Sequence, residues 1–148
     1  LSSVISVNEN QPFEVIRNLR KYYPSMESIN ILVLGLSFKP NTDDVRYSPA
    51  IKIVNKLVEL QANVYVHDPI SINNFMREIN NDSKLINPIN DWMKVLNKVE
   101  IIILVTKWDA YKDLENLNTT ANTIYDCRRM LNSKKLKIAR YLSIAVNY

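Results

Sequence analysis

The stretch of sequence that decides the fold reads Ile29-Asn-Ile-Leu-Val-Leu34-Gly35-Leu-Ser-Phe-Lys-Pro-Asn-Thr-Asp-Asp-Val-Arg-Tyr-Ser48-Pro49-Ala50. Its apolar run, residues 31–34, predicts a buried strand, and the single glycine of the chain, Gly35, predicts a sharp turn at the end of that strand. Ser48 and Pro49 are typical of a helix N-cap and first helical position. A strand, a loop and a helix in this order are characteristic of open α/β sheets, which bind ligands in loops of this kind.

The loop between this strand and this helix carries two cations, Lys39 and Arg46. Both precede a helix N-terminus, whose free N–H groups and dipole favour negative charge. An anionic ligand therefore suits the loop. The alternative is that both side chains are ordinary solvated loop residues, because a short motif of this kind is weak evidence by itself.

Strand and helix patterns alternate along the rest of the chain. Residues 99–105 are so continuously apolar that we expect that strand to be covered on both faces. The alternation predicts an α/β fold with a doubly wound, mostly parallel, Rossmann-like sheet and helices on both faces. The predicted helices are 12–23, with Pro12 at its first position, the helix from Pro49, 71–79 and 91–98; the predicted strands are 31–34, 64–67, 99–105, 122–126 and 137–145, and 80–90 is a predicted loop.

Composition and charge argue against several classes of protein. With 148 residues, 47% hydrophobic and 23% charged, the chain has the make-up of one folded domain. The net charge of +4 is small and the lysines are dispersed, which argues against nucleic acid as a partner. No apolar run is long enough for a membrane span, no export signal is visible, and one cysteine cannot form an internal disulfide. We therefore expect a cytoplasmic protein with no membrane partner.

Three residues near predicted strand ends are candidates for chemistry. Asp68 follows a strand, where an acidic residue can bind a ribose hydroxyl or cap a turn. His67, the sole histidine, has no cysteine or second histidine near it, so we expect a packed strand residue and no metal site. Cys127 stands beside arginines that favour a thiolate, but no base accompanies it, and we interpret it as structural.

The segment from Gly35 to Pro49 resembles a known signature, G-x-x-F-K-x-x-T-x-D-x-R-x-S-P. That signature opens the C-terminal, UDP-binding domain of the UDP-glucose/GDP-mannose dehydrogenase family. Thr106-Lys-Trp108 and Asp126-Cys-Arg128 are similar to later motifs of the same family, whose second motif is Asp-Gly-Arg. The resemblance implies a UDP-binding domain at 29–148 and the tail of a connecting helical segment, outside the core, at 1–28; a helix that belongs to this domain is the alternative for 1–28.

The resemblance also implies roles for four residues. By matched position, Phe38, Lys39 and Arg128 contact the UDP-sugar substrate, and Arg46 contacts NAD held across a domain cleft. Guanidinium and ammonium groups suit a diphosphate on general grounds. Cys127 stands where the family has glycine, which leaves the geometry of that turn open.

Enzymes of the resembled family oxidise C6 of a nucleotide sugar with two NAD, through an intermediate bound to a cysteine. These residues contain neither the glycine-rich NAD fingerprint nor the catalytic cysteine segment, so we assign no catalytic residue and expect the chain alone to be inactive. Because the sequence begins with Leu1, we expect a fragment of a longer protein. In that protein, upstream NAD-binding and central domains would complete the enzyme, which the resemblance implies is a homo-oligomer.

Three functions stay open at the level of sequence. The first is a domain of a UDP-sugar 6-dehydrogenase, with conversion of UDP-glucose to UDP-glucuronate ranked before oxidation of a UDP-N-acetylhexosamine. The Thr-x-Trp motif resembles that of the UDP-glucose enzymes. The segment Asp-Asp-x-Arg-x-Ser-Pro-Ala is typical of enzymes that oxidise UDP-N-acetylhexosamines. The second function is a stand-alone nucleotide-binding regulatory module without catalysis. The third is a basic module for nucleic acid, which predicts salt-sensitive binding to any polyanion.

Overall fold

The computed structural model describes residues 2–144, with side chains from residue 11 onward, and contains a parallel β-sheet. Its strands are β1 (Asn30–Leu34), β2 (Asn63–His67), β3 (Ile86–Pro88), β4 (Ile101–Leu104), β5 (Thr123–Asp126) and β6 (Arg140–Ser143). They lie in the order β3-β2-β1-β4-β5-β6, and every neighbouring pair is parallel. The predicted doubly wound sheet is confirmed, and its strand order reverses between β1 and β4.

The helices of the described chain are of two kinds. The α-helices are α1 (Ser2–Arg20), α2 (Pro49–Glu59) and α3 (Ile72–Ile79), and 3₁₀ helices span Trp92–Val95, Asp109–Asn116 and Ser133–Lys135. As predicted, the Ser48 side chain caps α2 by accepting a hydrogen bond from the N–H of Ala50. None of the described helices is both long enough and apolar enough to cross a membrane.

Several predicted elements differ from those of the structure. Pro12 lies inside α1 and not at its start. The apolar spacing that follows a proline is the same whether the proline begins a helix or lies within one, so the sequence did not distinguish the two positions. An interior proline lacks one helical N–H donor. Residues 86–88, within the predicted loop, form the edge strand β3, which is too short to give a sequence pattern and which tolerates Pro88 because it is at the edge. The last strand is also shorter than predicted, and residue 145 lies outside the described part.

The sheet separates two apolar layers. Side chains alternate along each strand, so Ile31 and Val33 of β1 face the layer that holds the apolar residues of the three α-helices. Leu32 and Leu34 face the opposite layer, with Trp92 and other residues of the 3₁₀ helices. Both faces of the central strands are therefore buried, which leaves the strand ends as the places where polar chemistry can occur.

The second half of α1 packs on this domain. Val15, Ile16 and Leu19 are buried in the same layer as β1 and α2, and the Asn18 side-chain amide donates to the Tyr125 hydroxyl over 2.8 Å. The expectation that residues 1–28 lie outside the core is therefore wrong for these three apolar residues. A domain boundary at residue 28 stays a prediction.

Candidate functional site

The loops that follow β1 and β4 flank the point where the strand order reverses. Leu34 and Leu104 are paired in register, so the two loops begin side by side at the carboxyl edge of the sheet. Ligands of open α/β sheets bind in the crevice at such a point. The crevice is lined by Pro40 and Asn41 from the first loop and by Lys107, Trp108, Asp109 and Ala110 from the second.

Gly35 brings these two loops into contact. Its φ angle is +92°, and a Cβ on this residue would lie 2.5 Å from the Cβ of Thr106. The N–H of Val105 donates to the carbonyl oxygen of Leu34 over 2.8 Å, and the Thr106 hydroxyl donates to the carbonyl oxygen of Ser37 over 2.7 Å. Hydrogen bonds from the loop after β4 therefore hold the loop after β1 in place.

Asp68, which follows β2, accepts hydrogen bonds from both of these loops. Its side chain is 2% exposed, and its Oδ2 accepts hydrogen bonds from the N–H groups of Leu36 at 2.8 Å and Ser37 at 3.3 Å. The indole N–H of Trp108 donates to the same oxygen over 3.2 Å. One carboxylate oxygen thus connects the start of the first loop to Trp108 in the wall of the crevice.

The second oxygen of Asp68 caps a turn. Oδ1 accepts hydrogen bonds from the N–H groups of Ile70 and Ser71, both at 3.0 Å. Of the two roles open for Asp68, the turn cap is therefore the one in the structure. In dinucleotide-binding sheets the N–H groups after the first strand face a pyrophosphate; here they are bound by Asp68, so this loop does not fit the pyrophosphate of NAD.

Phe38 and Lys39, predicted to contact substrate, are exposed on the first loop. Phe38 is 39% exposed, and its N–H donates to the carbonyl oxygen of Asp44 over 2.9 Å. The Ser37 hydroxyl donates to the carbonyl oxygen of Lys39 over 2.8 Å. These bonds close the loop on itself and leave both side chains available at the carboxyl edge.

Arg46 lies further along the loop and has a different environment. Its Nε and Nη2 donate to the two carboxylate oxygens of Asp44, each over 3.0 Å. These hydrogen bonds lower the pKa of Asp44 and raise the pKa of Arg46. Arg46 lines a second pocket, with Asn74, Arg77 and Glu78 of α3. Like Phe38, Lys39 and Arg128, it is not among the residues that line the crevice at the strand reversal.

Arg128 follows β5 at the same edge of the sheet. Its N–H donates to Asp126 Oδ1 over 3.1 Å, and its Nε donates to the carbonyl oxygen of Val105 over 2.8 Å. Val105 directly precedes Thr106, the residue that holds the first loop. Arg128 and Lys39 are therefore on loops connected through the same end of β4, and the Arg128 side chain is exposed there.

Comparison with known proteins agrees with this geometry. Residues 32–133 match the model of the UDP-glucose/GDP-mannose dehydrogenase family, UDP binding domain. The chain belongs to this family. Within it, the chain covers the part that the model describes as the UDP binding domain.

Individual relatives are longer than this UDP binding domain. The UDP-glucose 6-dehydrogenase of Rickettsia prowazekii is 30% identical over 142 residues, which are 93% of this chain and 32% of that protein. UDP-glucose 6-dehydrogenase TuaD of Bacillus subtilis is 28% identical over 146 residues, which are 96% of this chain and 31% of that protein. The structure of a UDP-glucose dehydrogenase from Pyrobaculum islandicum matches with a TM-score of 0.79 and 31% identity, over 95% of this chain and 31% of that one. The chain thus spans about a third of the length of these relatives.

The end of β5 in this UDP binding domain is built on a buried carboxylate. Asp126 is fully buried, and its Oδ2 accepts hydrogen bonds from the N–H of Leu131 at 2.9 Å and from the hydroxyl of Tyr141 at 2.8 Å. Burial, together with the hydrogen bond to Asp126, raises the pKa of Tyr141. The turn that carries Arg128 is therefore fixed at both carboxylate oxygens.

Cys127 fits this turn without strain. Its φ angle is not positive, and the left-handed residue of the turn is Arg129, with φ of 54°. The Cys127 thiol is buried, and burial raises its pKa to about 12. Cysteine is therefore compatible with the backbone at this position, and a thiol so buried stays protonated.

His67 is a packed residue at the end of β2. It is 7% exposed, and its Nδ1 is 2.9 Å from the hydroxyl of the fully buried Tyr111. Burial lowers the pKa of His67, and the nearby Asp68 carboxylate opposes part of that effect. The ring is therefore neutral at pH 7 and contributes to packing, as interpreted from the sequence.

Sequence reasoning missed Lys107 and Asn41, which both line the crevice. Lys107 follows β4 by three residues, and that position was its only signal, since cations are common in exposed loops. Asn41 adopts φ of 64°, a region that asparagine tolerates better than most residues. Its spacing from Gly35 gave no sign that it would reach the neighbouring loop.

Proposed function

We propose that this domain binds the UDP-sugar substrate of an NAD-dependent nucleotide-sugar 6-dehydrogenase in the crevice between the loops after β1 and β4. The proposal rests on the junction at residues 105–106. Val105 accepts a hydrogen bond from Arg128, and Thr106 donates one to Ser37, next to Phe38. Two cation-bearing loops are thereby held at one edge of the sheet, where a diphosphate can bind to both.

Each residue then has a distinct role. Arg128 is anchored through Nε, and its terminal nitrogens are the donors for a phosphate oxygen. Lys39 supplies a compact positive charge, which also stabilises negative charge that develops on the sugar during oxidation. The half-exposed ring of Phe38 supplies an apolar surface against the nucleotide sugar.

The complete enzyme of this proposal is longer than the chain. Upstream NAD-binding and central domains supply the cofactor site and the catalytic cysteine, and the full-length protein is a cytoplasmic homo-oligomer that serves polysaccharide biosynthesis. Arg46, whose side chain is 73% exposed, reaches NAD held by the upstream domain. We rank UDP-glucose first as the substrate, because the relatives compared above are named for it, and a UDP-N-acetylhexosamine second.

The experiment that tests UDP binding is an NMR titration of the chain with UDP and, separately, with inorganic phosphate. We expect UDP to perturb amides of residues 35–41 and 105–108 in a saturable way, and phosphate at equal concentration to perturb them less. Arg128→Gln should weaken UDP binding by about tenfold, since a charge-assisted hydrogen bond is lost. Its neighbour provides the matched control, because Arg129→Gln removes the same charge from a side chain that bonds to the carbonyl of Ile144.

A second matched pair tests the first loop. Lys39→Gln should weaken UDP binding, whereas Lys52→Gln, on the exposed side of α2, should leave it unchanged. Equal UDP affinity for Arg128→Gln and Arg129→Gln, or perturbation by phosphate as strong as by UDP, would contradict the proposal. The gene separates the two nucleotide-binding alternatives: an upstream reading frame with a glycine-rich fingerprint and a catalytic cysteine supports the dehydrogenase, and its absence favours the regulatory module.

A further inference from the structure

The carboxylate of Asp68 occupies the backbone donors that follow β1. Leu36 and Ser37 both direct their N–H groups to its Oδ2, at 2.8 and 3.3 Å. In a sheet of this order, such donors normally face the phosphates of a bound dinucleotide, and an acidic residue after the second strand normally faces a ribose. Here the acidic residue and the donors bind each other, so neither is available to a dinucleotide.

We propose that Asp68 is a built-in anion that positions the substrate loop of this domain. The proposal rests on the function proposed above and adds a positioning residue to it. Asp68 is not among the residues that line the crevice, and it acts through the residues that it holds. Leu36 and Ser37 immediately precede Phe38 and Lys39, so their hydrogen bonds to Asp68 fix the point from which both predicted substrate contacts project.

The same oxygen also sets the opposite wall of the crevice. Trp108 donates its indole N–H to Asp68 Oδ2, and it lines the crevice opposite Pro40 and Asn41. One buried oxygen therefore determines the separation of the two walls. A carboxylate does this better than any neutral side chain, because charge-assisted hydrogen bonds are stronger and both of its oxygens are acceptors.

Asp68→Asn tests this role with the least change of shape. An amide has one oxygen, so one of the two donor groups, either at residues 36, 37 and 108 or at residues 70 and 71, would face an NH₂ group. We expect UDP binding to weaken by at least about tenfold, the loss of one charge-assisted hydrogen bond. The readouts are UDP affinity by NMR titration at a temperature where the variant is folded, and the chemical shift of the Trp108 indole proton.

A destabilised control separates positioning from general loss of stability. Val58→Ala removes buried atoms from a residue that is 8% exposed and lies near the end of α2. This end of the helix precedes the amino end of β2, whereas the crevice lies at the carboxyl edge of the sheet. It should lower the free energy of unfolding while it leaves UDP affinity and the Trp108 proton unchanged. Asp68→Asn should change all three.

The outcomes are distinct. A loss of affinity in Asp68→Asn but not in Val58→Ala supports the positioning role, and equal affinity in the two variants overturns it while UDP binding by the wild type still stands. A wild-type chain that UDP does not perturb overturns the proposed function and this inference with it. Should Asp68→Asn fail to fold, Trp108→Phe removes one donor to Oδ2 and keeps the carboxylate. Weaker UDP binding together with shifted amide signals of Leu36 and Ser37, which donate to the same oxygen, supports the role; unchanged binding or unchanged Leu36 and Ser37 signals overturn it.

Discussion

Gly35 and Thr106 approach each other so closely that residue 35 has no room for a side chain. A Cβ added to Gly35 would lie 2.5 Å from both the Cβ and the amide nitrogen of Thr106. The neighbouring atoms are backbone and a branched side chain, which cannot move aside without displacing the end of β4. The contact thus couples the two loops of the proposed crevice through a requirement for glycine.

Gly35→Ala is therefore expected to be severely destabilising. The added methyl group meets the clash with Thr106 and also a φ of +92°, which residues with a Cβ rarely adopt. We expect the free energy of unfolding in urea to fall by about 3 kcal/mol or more. Gln61→Ala is the control, because residue 61 has φ of 67° and already carries a Cβ; comparable losses in the two variants would contradict the role of the contact.

Tyr47→Gly is expected to stabilise the isolated chain. Tyr47 has φ of 63° and is 89% exposed. The left-handed backbone therefore destabilises the folded chain at this residue, and the side chain buries too little surface to compensate. Glycine removes that cost but loses more entropy on folding, which leaves a gain of about 0.5–1 kcal/mol in the free energy of unfolding. Asn41→Gly, at φ of 64°, should gain less, because asparagine tolerates this region. Chemical denaturation measures both, and a larger gain at Asn41 would oppose the explanation.

The parts of the fold that the sequence predicted are those with local causes. Ser48 and Pro49 mark the start of α2 because capping involves residues two apart. The branched run of β4 marks a buried strand because its period does not depend on its neighbours. The edge strand β3 has no such signal, since three residues become a strand only by pairing with β2.

The loops of the candidate site were predictable because their residues belong to two short motifs, the signature at 35–49 and Asp126-Cys-Arg128. Phe38, Lys39 and Arg128 were placed in loops after strands, and the structure puts those loops at one edge. The hydrogen bond from Trp108 to Asp68 joins residues 40 positions apart, and no local sequence pattern predicts it. Arg46 was expected near NAD, and its contact with the cofactor stays a prediction; in the structure its side chain pairs with Asp44.

Cys127 should be unreactive until the chain unfolds. Its thiol is buried and its pKa is raised to about 12 by burial. At pH 8 the thiolate fraction is then on the order of a thousandfold lower than that of an ordinary cysteine. We expect Ellman's reagent to react at a rate at least that much slower in buffer than in concentrated urea. Rapid reaction of the folded chain, absent in Cys127→Ser, would show that the thiol is accessible and ionised.

Stability should fall as the pH is lowered through the range in which His67 titrates. Burial lowers the pKa of His67 in the folded chain below its usual value of 6.5, so the unfolded chain binds the proton first. The stability that the neutral ring provides is complete above about pH 6.5 and is lost as the pH falls from there towards the folded pKa, with a slope of at most about 1.4 kcal/mol per pH unit. Urea unfolding between about pH 5 and 8 measures the slope, and His67→Gln should flatten it because this is the sole histidine. If the variant keeps the slope of the wild type, another group is responsible for the pH dependence.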